Sequence, residues 1–250
     1  MATVYRAGRA LPATTLDDWV TRVRQHLPSE ATTLLDLGAG TGRFSQALAD
    51  GLSVSVVAME PAAGMRAEAV ASLSSPRVHL VGGSAQGLPF DSQSFDMVWA
   101  SQVLHHGVDM GATAREINRV LKPDGSVLVR ASLDSGDWIL APFFLEMPAA
   151  GSKLPRLSDY VSAFEGAGFE LLLHEKVHQV VAPDGWALLE RTKLRADSVL
   201  ARLGDAAFAK GIAALTRAVQ AEEVAAPVLE TLDLLVFGTL KKSKQLSVGG

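Results

Sequence analysis

The chain has 250 residues, of which 48% are hydrophobic and 20% are charged, a composition typical of globular proteins rather than of disordered or fibrous ones. The formal net charge of −4 argues against a nucleic acid as the default partner, and the absence of cysteine excludes disulfides, thiolate nucleophiles and cysteine-based zinc sites. No apolar run reaches the roughly 18 residues that a membrane helix needs, and the N-terminus lacks a signal-peptide pattern, so we expect a cytoplasmic protein that makes no use of a membrane.

Apolar periodicity divides the first half of the chain into alternating strands and helices, which indicates βαβ units and a mostly parallel sheet. In chain order, we predict a helix at 16–26, a strand at 33–37, a helix at 43–50, a strand at 53–59, a helix at 65–73, strands at 78–81 and 95–100, a helix at 112–121 and a strand at 126–131. The segment KPDG at 122–125 is predicted as the turn before the last of these strands.

The second half of the chain has a different character. Residues 134–153 contain large apolar side chains without a clear period and are predicted as a loop with short helices. After them we predict a helix at 157–167, an alternating strand at 169–181, two helices within 185–226, a last strand at 232–240 and a polar tail at 241–250. The predicted fold class is α/β: a Rossmann-like three-layer sandwich with a seven-stranded, mostly parallel sheet, an antiparallel last strand near its edge and a helical insertion before that strand.

The segment LLDLGAGTGRF (34–44) ends the first predicted strand in three glycines, Gly38, Gly40 and Gly42. Arg43 stands where a dinucleotide-binding loop has its third glycine, and no Lys-Ser or Lys-Thr pair follows, so neither that fingerprint nor a triphosphate-binding P-loop is present. Taken alone, the glycines are equally consistent with close packing of a helix on the sheet.

Four further features follow this loop in order. Glu60 closes the second strand in VVAMEP, where a carboxylate can accept hydrogen bonds from both hydroxyls of a ribose. GGSAQGLPF (82–90) forms a turn after the third strand that can cover a flat heterocycle. FDMVWASQVLHH (95–106) leads from the fourth strand into a loop, and REINRVLKPDGSVLV (115–129) contains the next helix, turn and strand.

This ordered set resembles the class I S-adenosylmethionine-dependent methyltransferases, specifically their small-molecule branch (methyltransferase type 11-like), most closely over 34–129. The resemblance implies S-adenosyl-L-methionine as the cofactor, with Asp36 at the methionine ammonium and Glu60 at the ribose hydroxyls. The other implied cofactor-binding residues are Gly38, Ala39 and Gly40 along the sugar and methionine, Pro61 and Met65 beside the adenine, Ser84 and Ala85 at the adenine edge, Ser101 at the methionine, and Tyr5 and Arg9 in a helical cover, where an arginine can meet the methionine carboxylate.

Ser84 departs from the family pattern, which commonly has an aspartate at this position to accept a hydrogen bond from the adenine amino group. A neutral hydroxyl is a weaker acceptor than a carboxylate, which implies a lower affinity for the cofactor. We expect one domain, 1–250, made of an N-terminal helical cover (1–30), a cofactor-binding core (31–132), a substrate lid with inserted helices and the last strands (133–240), and the tail.

His105 and His106 are the candidate catalytic residues, because they follow the fourth strand close to the expected methyl group and a neutral imidazole suits a general base. The alternative is that one of them caps or packs against the following helix. The candidate substrate-binding residues are Gln102, Trp138, Phe143 and Phe144. No metal site is expected, because His174 and His178, which share one face of a strand, lack a clear third ligand.

We therefore predict transfer of a methyl group to an oxygen, nitrogen or carbon atom of a small, largely apolar molecule, by an SN2 displacement in which positioning supplies most of the rate gain. The segment ASQVLHH carries neither of the motifs that nucleic-acid methyltransferases usually have after the fourth strand, so no nucleic-acid substrate is expected. Two other interpretations stay open: a cofactor-binding fold used for different chemistry, and a nicotinamide-dependent reductase, against which Arg43 counts. The sequence identifies neither the acceptor nor the oligomeric state.

Overall fold

The computed structural model describes residues 8, 10–106, 109–133, 138–147, 154–197 and 199–240. Tyr5, Arg9, the tail at 241–250 and part of the expected lid lie outside the described residues. The strands are β1 (Thr33–Leu37), β2 (Ser55–Met59), β3 (Val78–Val81), β4 (Phe95–Ser101), β5 (Leu121–Ala131), β6 (Phe169–Ala182) and β7 (Val228–Thr239). The helices are α1 (Ala13–Gln25), α2 (Arg43–Leu52), α3 (Ala63–Ser72), α4 (Met110–Val120), α5 (Leu157–Glu165), α6 (Gly185–Lys193) and α7 (Asp205–Gln220), with one 3₁₀ turn at Leu200–Arg202.

The strands form one seven-stranded sheet in the order β3-β2-β1-β4-β5-β7-β6. β1 runs parallel to β2 and β4, β2 to β3, and β4 to β5. β7 enters between β5 and β6 and runs antiparallel to both. The helices α6 and α7 are inserted between β6 and β7. The predicted fold class is therefore confirmed, including the antiparallel last strand near the edge.

Helices cover both faces of the sheet. On one face, Trp19 of α1 and Phe44 of α2 pack with Trp99 of β4 in one hydrophobic cluster. On the other face, Ile117 of α4 and Phe164 of α5 belong to a second cluster. Because both faces are covered, a central strand such as β1 is buried along nearly its whole length, which explains its almost continuous apolar sequence.

Most element boundaries differ from the prediction by a few residues, and three of these differences have a clear structural cause. β2 begins at Ser55 rather than at residue 53, because Ser53 adopts the left-handed conformation (φ 61°) that ends α2. β5 begins at Leu121. The predicted turn at 122–125 is a bulge in this strand, at the point where the register against β4 shifts. β7 begins at Val228 rather than at residue 232, because its pairing with β6 continues to the end of that strand.

The inserted helices form a third hydrophobic cluster with the end of β6 and with the segment 140–147. Phe144 is its centre: the ring lies 5.8 Å from that of Phe208, and a Cβ added to Gly211 would come within 2.2 Å of it. Over the described ranges, no helix is long and apolar enough to cross a bilayer.

Candidate functional site

The carboxyl ends of β1, β2, β4 and β5 lie at one edge of the sheet, as expected for neighbouring parallel strands. A cavity of about 300 Å³, which we call the edge cleft, opens there between the glycine loop, the loop after β4 and the chain leading into α1. Six of its lining residues were predicted from the sequence: Asp36, Gly38, Ala39, Gly40, Ser101 and Gln102. The others are Ala10, Leu11, Leu16, Thr41, Gly42, Arg43, Phe44, Gln46, Ser72 and Leu73.

Two of the three glycines in the loop, Gly38 and Gly40, are required for different reasons. Gly38 has φ +71°, and a Cβ there would lie 2.3 Å from the Val103 side chain, so the loop after β4 packs directly on this backbone. Gly40 has φ +60°, and a Cβ there would have no heavy atom within 4 Å, so its backbone faces open space. The glycines therefore have two roles: Gly38 serves packing, and Gly40 leaves room for a ligand.

Glu60 fixes the shape of this loop. One carboxylate oxygen accepts a hydrogen bond from the Gly40 N–H at 2.9 Å, and the other accepts one from the Ala62 N–H at 2.9 Å, at the start of α3. The side chain is nearly buried. Because a carboxylate offers about four acceptor positions, two remain for donors such as ribose hydroxyls. The predicted sugar-binding residue therefore also holds the loop against which the sugar is expected to lie.

Asp36 lies at the floor of the edge cleft and is almost completely buried. Its Oδ2 accepts a hydrogen bond from the Ser45 hydroxyl at 2.6 Å. Burial raises the pKa of the Asp36 carboxyl to about 7, although the Ser45 hydrogen bond and the charge of Arg43 act in the opposite direction, and the charge of Glu60 adds to the increase. A cation placed in the cleft beside Asp36 would favour the ionised form of this carboxyl.

Sequence reasoning missed Arg130, which lies on β5 directly opposite Ser101 of β4. The residue is 3% exposed, and its guanidinium donates a hydrogen bond to the Ser101 hydroxyl at 3.1 Å. The sequence signal for it was a charged residue inside the mostly apolar strand SVLVRA.

Gln102, a predicted substrate-binding residue, has its side chain hydrogen-bonded to Ser132: its Nε2 donates to the Ser132 hydroxyl at 2.8 Å, and its Oε1 accepts from the Ser132 N–H at 3.2 Å.

The other predicted site residues do not line the edge cleft. Pro61 and Met65 follow β2, and Ser84 and Ala85 follow β3, farther along the same edge. The Ser84 hydroxyl accepts a hydrogen bond from the Gln86 N–H at 3.3 Å. The predicted substrate-binding residues Trp138, Phe143 and Phe144 pack in the cluster of the inserted helices.

His105 and His106 follow β4 side by side, with ring centroids 4.0 Å apart. His105 is partly buried and His106 is exposed. Their catalytic role stays a prediction. His174 and His178 have neighbours across β6 and β7: Nε2 of His174 lies 2.7 Å from Oδ1 of Asp233, and Nδ1 of His178 lies 2.9 Å from the Thr231 hydroxyl. Among the residues that the structure describes, no group of His, Asp and Glu is arranged to hold a metal ion.

Comparison with known proteins agrees with this geometry. Residues 35–129, which include the glycine loop, Glu60 and β4, match a family model described as a methyltransferase domain. The chain is 31% identical to methyltransferase GfsG of Streptomyces halstedii over 62% of this chain and 59% of that protein. It is 27% identical to the 27-O-demethylrifamycin SV methyltransferase of Amycolatopsis mediterranei over 78% of this chain and 76% of that enzyme.

Among solved structures, a candidate methyltransferase from an antibiotic biosynthesis pathway of Anabaena variabilis superposes with a TM-score of 0.71 at 20% identity, over 93% of this chain and 99% of the other. This likeness establishes the fold. The chain spans less than two thirds of GfsG and about half the length of several other curated relatives. Residues 35–129 thus match a methyltransferase domain in sequence, and the chain has the fold of the solved structure on which it superposes.

Proposed function

We propose that this protein binds S-adenosyl-L-methionine along the edge of the sheet and transfers its methyl group to a small, largely apolar acceptor. The observation that carries the proposal is the glycine loop: Glu60 holds the Gly40 amide, while the Cβ side of Gly40 faces open space beside the buried carboxyl of Asp36. A glycine backbone that faces open space, with these two carboxyls close to it, fits a ligand that carries both a ribose and an amino group.

We propose that different residues bind different parts of the cofactor. Glu60 has two acceptor positions left for the ribose hydroxyls. We propose that Asp36 pairs with the methionine ammonium, a contact that would lower its raised pKa and keep the carboxyl ionised. Pro61, Met65, Ser84 and Ala85 are proposed to surround the adenine, because they follow β2 and β3 on the side of the loop away from Ser101.

When bound, the cofactor supplies an electrophilic methyl group whose transfer leaves a neutral thioether. The protein's own part is to orient the acceptor in line with that group and to exclude water, which can supply most of the rate gain. An acceptor that is protonated at neutral pH also needs a base, for which we propose His105 or His106. We infer a small-molecule acceptor, because one extensively matching curated relative is named as a methyltransferase of 27-O-demethylrifamycin SV.

The first experiment is isothermal titration of the protein with S-adenosylmethionine, S-adenosylhomocysteine and, as a control, NADH. The proposal expects binding of both adenosyl ligands and none of NADH. Asp36→Ala and Glu60→Ala should each weaken cofactor binding about tenfold or more, whereas Asp50→Ala, on the exposed side of α2, should leave it unchanged. Absence of binding by either adenosyl ligand would overturn the assignment.

Transfer itself is tested with cofactor that carries a labelled methyl group, offered with 27-O-demethylrifamycin SV as the first acceptor and then with a panel of small hydroxy, amino and carbon acceptors. Label in a product supports methyl transfer. Tight cofactor binding without label in any product favours the second interpretation, a fold that uses the bound cofactor for other chemistry. If label is transferred, His105→Gln and His106→Gln should lower the rate most at pH values where the acceptor is still protonated. An unchanged pH profile in both variants would exclude these histidines as bases.

A further inference from the structure

Arg130 is a buried cation beside Ser101, which lines the edge cleft. Its guanidinium donates one hydrogen bond to the Ser101 hydroxyl at 3.1 Å and another to Oε1 of Gln179, on β6, at 2.8 Å. The rings of Trp19 and Phe44 lie against it, with centroids 5.0 and 5.2 Å from its central carbon. Four secondary-structure elements thus fix the direction in which this charge points.

The same network joins the N-terminal helix to the cleft. Trp19 Nε1, on α1, donates to the same Gln179 oxygen that accepts from Arg130, at 2.8 Å. The Gln179 amide then donates to Glu230 of β7 at 2.8 Å. Every member is held by a partner, so Arg130 has little freedom to turn away from Ser101.

The direction of the Ser101 hydrogen bond has a chemical consequence. A guanidinium has no acceptor, so the Ser101 oxygen must accept from Arg130, and its own proton is left to point elsewhere. Ser101 lines the edge cleft. The hydroxyl therefore offers a donor to the cleft with a positive charge directly behind it, an arrangement that suits an anion and not an ammonium.

The order of the strands says which part of a ligand arrives there. Along the edge, the chain presents Ser84 after β3, Glu60 after β2, the glycine loop after β1, Ser101 at the end of β4 and Arg130 on β5. A ligand with its adenine at β3 and its ribose at Glu60 ends, past the loop, at Ser101. Asp36, at the floor of the same cleft, supplies the acceptor for the ammonium, so the remaining charge of the amino-acid group is its carboxylate.

We propose that Arg130 is a positioning residue that orients the Ser101 hydroxyl as a donor to the carboxylate of the cofactor's amino-acid end. The inference rests on the proposed function, because it takes the adenosyl ligand as the occupant of the cleft. It also removes the need for an arginine from the N-terminal cover: the carboxylate is met from β4 and β5, within the core of the fold.

The test compares two ligands that differ at this group alone. S-adenosylhomocysteine has both the ammonium and the carboxylate, whereas S-adenosyl-3-thiopropylamine keeps the amine and lacks the carboxylate. The wild-type protein should bind the first at least about tenfold more tightly. In Ser101→Ala and in Arg130→Met, affinity for S-adenosylhomocysteine should fall until this preference is about twofold or less, while affinity for the amine ligand stays within about twofold of wild type.

Two further variants separate positioning from general loosening of the structure. Arg130→Lys keeps the charge and should restore part of the preference. Thr15→Val removes another hydrogen bond between α1 and β6, from the Thr15 hydroxyl to the Val180 carbonyl at 2.8 Å, and should leave both affinities unchanged. Circular dichroism and thermal unfolding check each fold, and Ser101→Ala, which deletes one oxygen, decides the question if Arg130→Met does not fold.

The outcomes are distinct. Equal loss of both ligands in Ser101→Ala, or an unchanged preference, overturns the inference. A wild-type protein that binds both ligands equally also overturns it, although the cofactor assignment stands. A wild-type protein that binds neither ligand refutes the proposed function itself.

Discussion

Replacing Asp36 by asparagine should stabilise the protein at alkaline pH while weakening cofactor binding. Burial raises the pKa of the Asp36 carboxyl from 3.8 to about 7 in the folded chain. Between these two values the folded state binds a proton that the unfolded state releases, so the free energy of unfolding falls as the pH rises. An asparagine is neutral at every pH and escapes this loss.

The size of the effect follows from the two pKa values. An increase from 3.8 to about 7 corresponds to a loss of about 4 kcal/mol, nearly all of it complete by pH 8. Only about a third of this loss has occurred at pH 5, so the wild type should lose about 3 kcal/mol between pH 5 and pH 8 on account of this group. The Ser45 hydroxyl, which donates to Asp36 at 2.6 Å, can still donate to the asparagine carbonyl, whereas the new amide protons cost about 1–3 kcal/mol at both pH values.

The assay is denaturant and thermal unfolding of wild type and Asp36→Asn at pH 5 and pH 8, with Asp50→Asn as an exposed control on α2. The stability difference between Asp36→Asn and wild type should move in favour of the variant by about 3 kcal/mol from the lower to the higher pH, or roughly 6–12 °C in Tm. The control difference should not change. A difference for Asp36→Asn that is the same at both pH values would refute the reasoning, because it would mean that Asp36 is ionised in the fold throughout.

Three further substitutions test the cleft and the core. Gly40→Ala should lower the free energy of unfolding by about 1–2 kcal/mol because of the positive φ, and it should abolish cofactor binding by filling open space. The control Gly64→Ala has equally open space but an ordinary helical φ, so it should be neutral or stabilising. Wild-type cofactor affinity of Gly40→Ala in a titration would contradict this expectation. Glu60→Gln keeps only one acceptor oxygen for the loop and should cost about 1–2 kcal/mol in urea unfolding, a loss that would be absent if the carboxylate served the ligand alone. Tyr160→Phe removes a buried hydroxyl that has no hydrogen-bond partner among the described residues, and should raise stability by up to about 1 kcal/mol; a clear loss of stability would indicate that the hydroxyl is bonded in solution.

Local patterns predicted the parallel half of the sheet well. β1 and β3 have the predicted bounds, and α2 begins at the predicted Arg43, because a short apolar run bounded by turn residues, or an amphipathic period, is a property of neighbouring residues. The position of the glycine loop followed for the same reason. The larger differences, at the start of β5 and of β7, depend on how long a partner strand continues to pair, and distant segments of the chain determine that length.

The aromatic residues of the aperiodic segment illustrate a second limit. Phe143 and Phe144 are predicted as substrate contacts because they are large apolar residues in the segment that follows the cofactor-binding core. An irregular sequence does not indicate which surface its apolar side chains cover. The structure packs Phe144 against Phe208 and Gly211 of α7, and its role as a substrate contact stays a prediction.

The sequence by itself determined the alternating elements, the fold class, the glycine loop and the carboxylates Asp36 and Glu60 at the strand ends, because each is encoded in residues close together in the chain. Only the tertiary structure decided the pKa values, the hydrogen bonds and the neighbours of such groups. The raised pKa of Asp36 requires burial, the second role of Glu60 requires the Gly40 amide to lie within hydrogen-bond distance, and the place of Arg130 behind Ser101 requires β4 and β5 to pair. Desolvation and hydrogen bonding depend on what surrounds a side chain in space, and distant segments supply those surroundings.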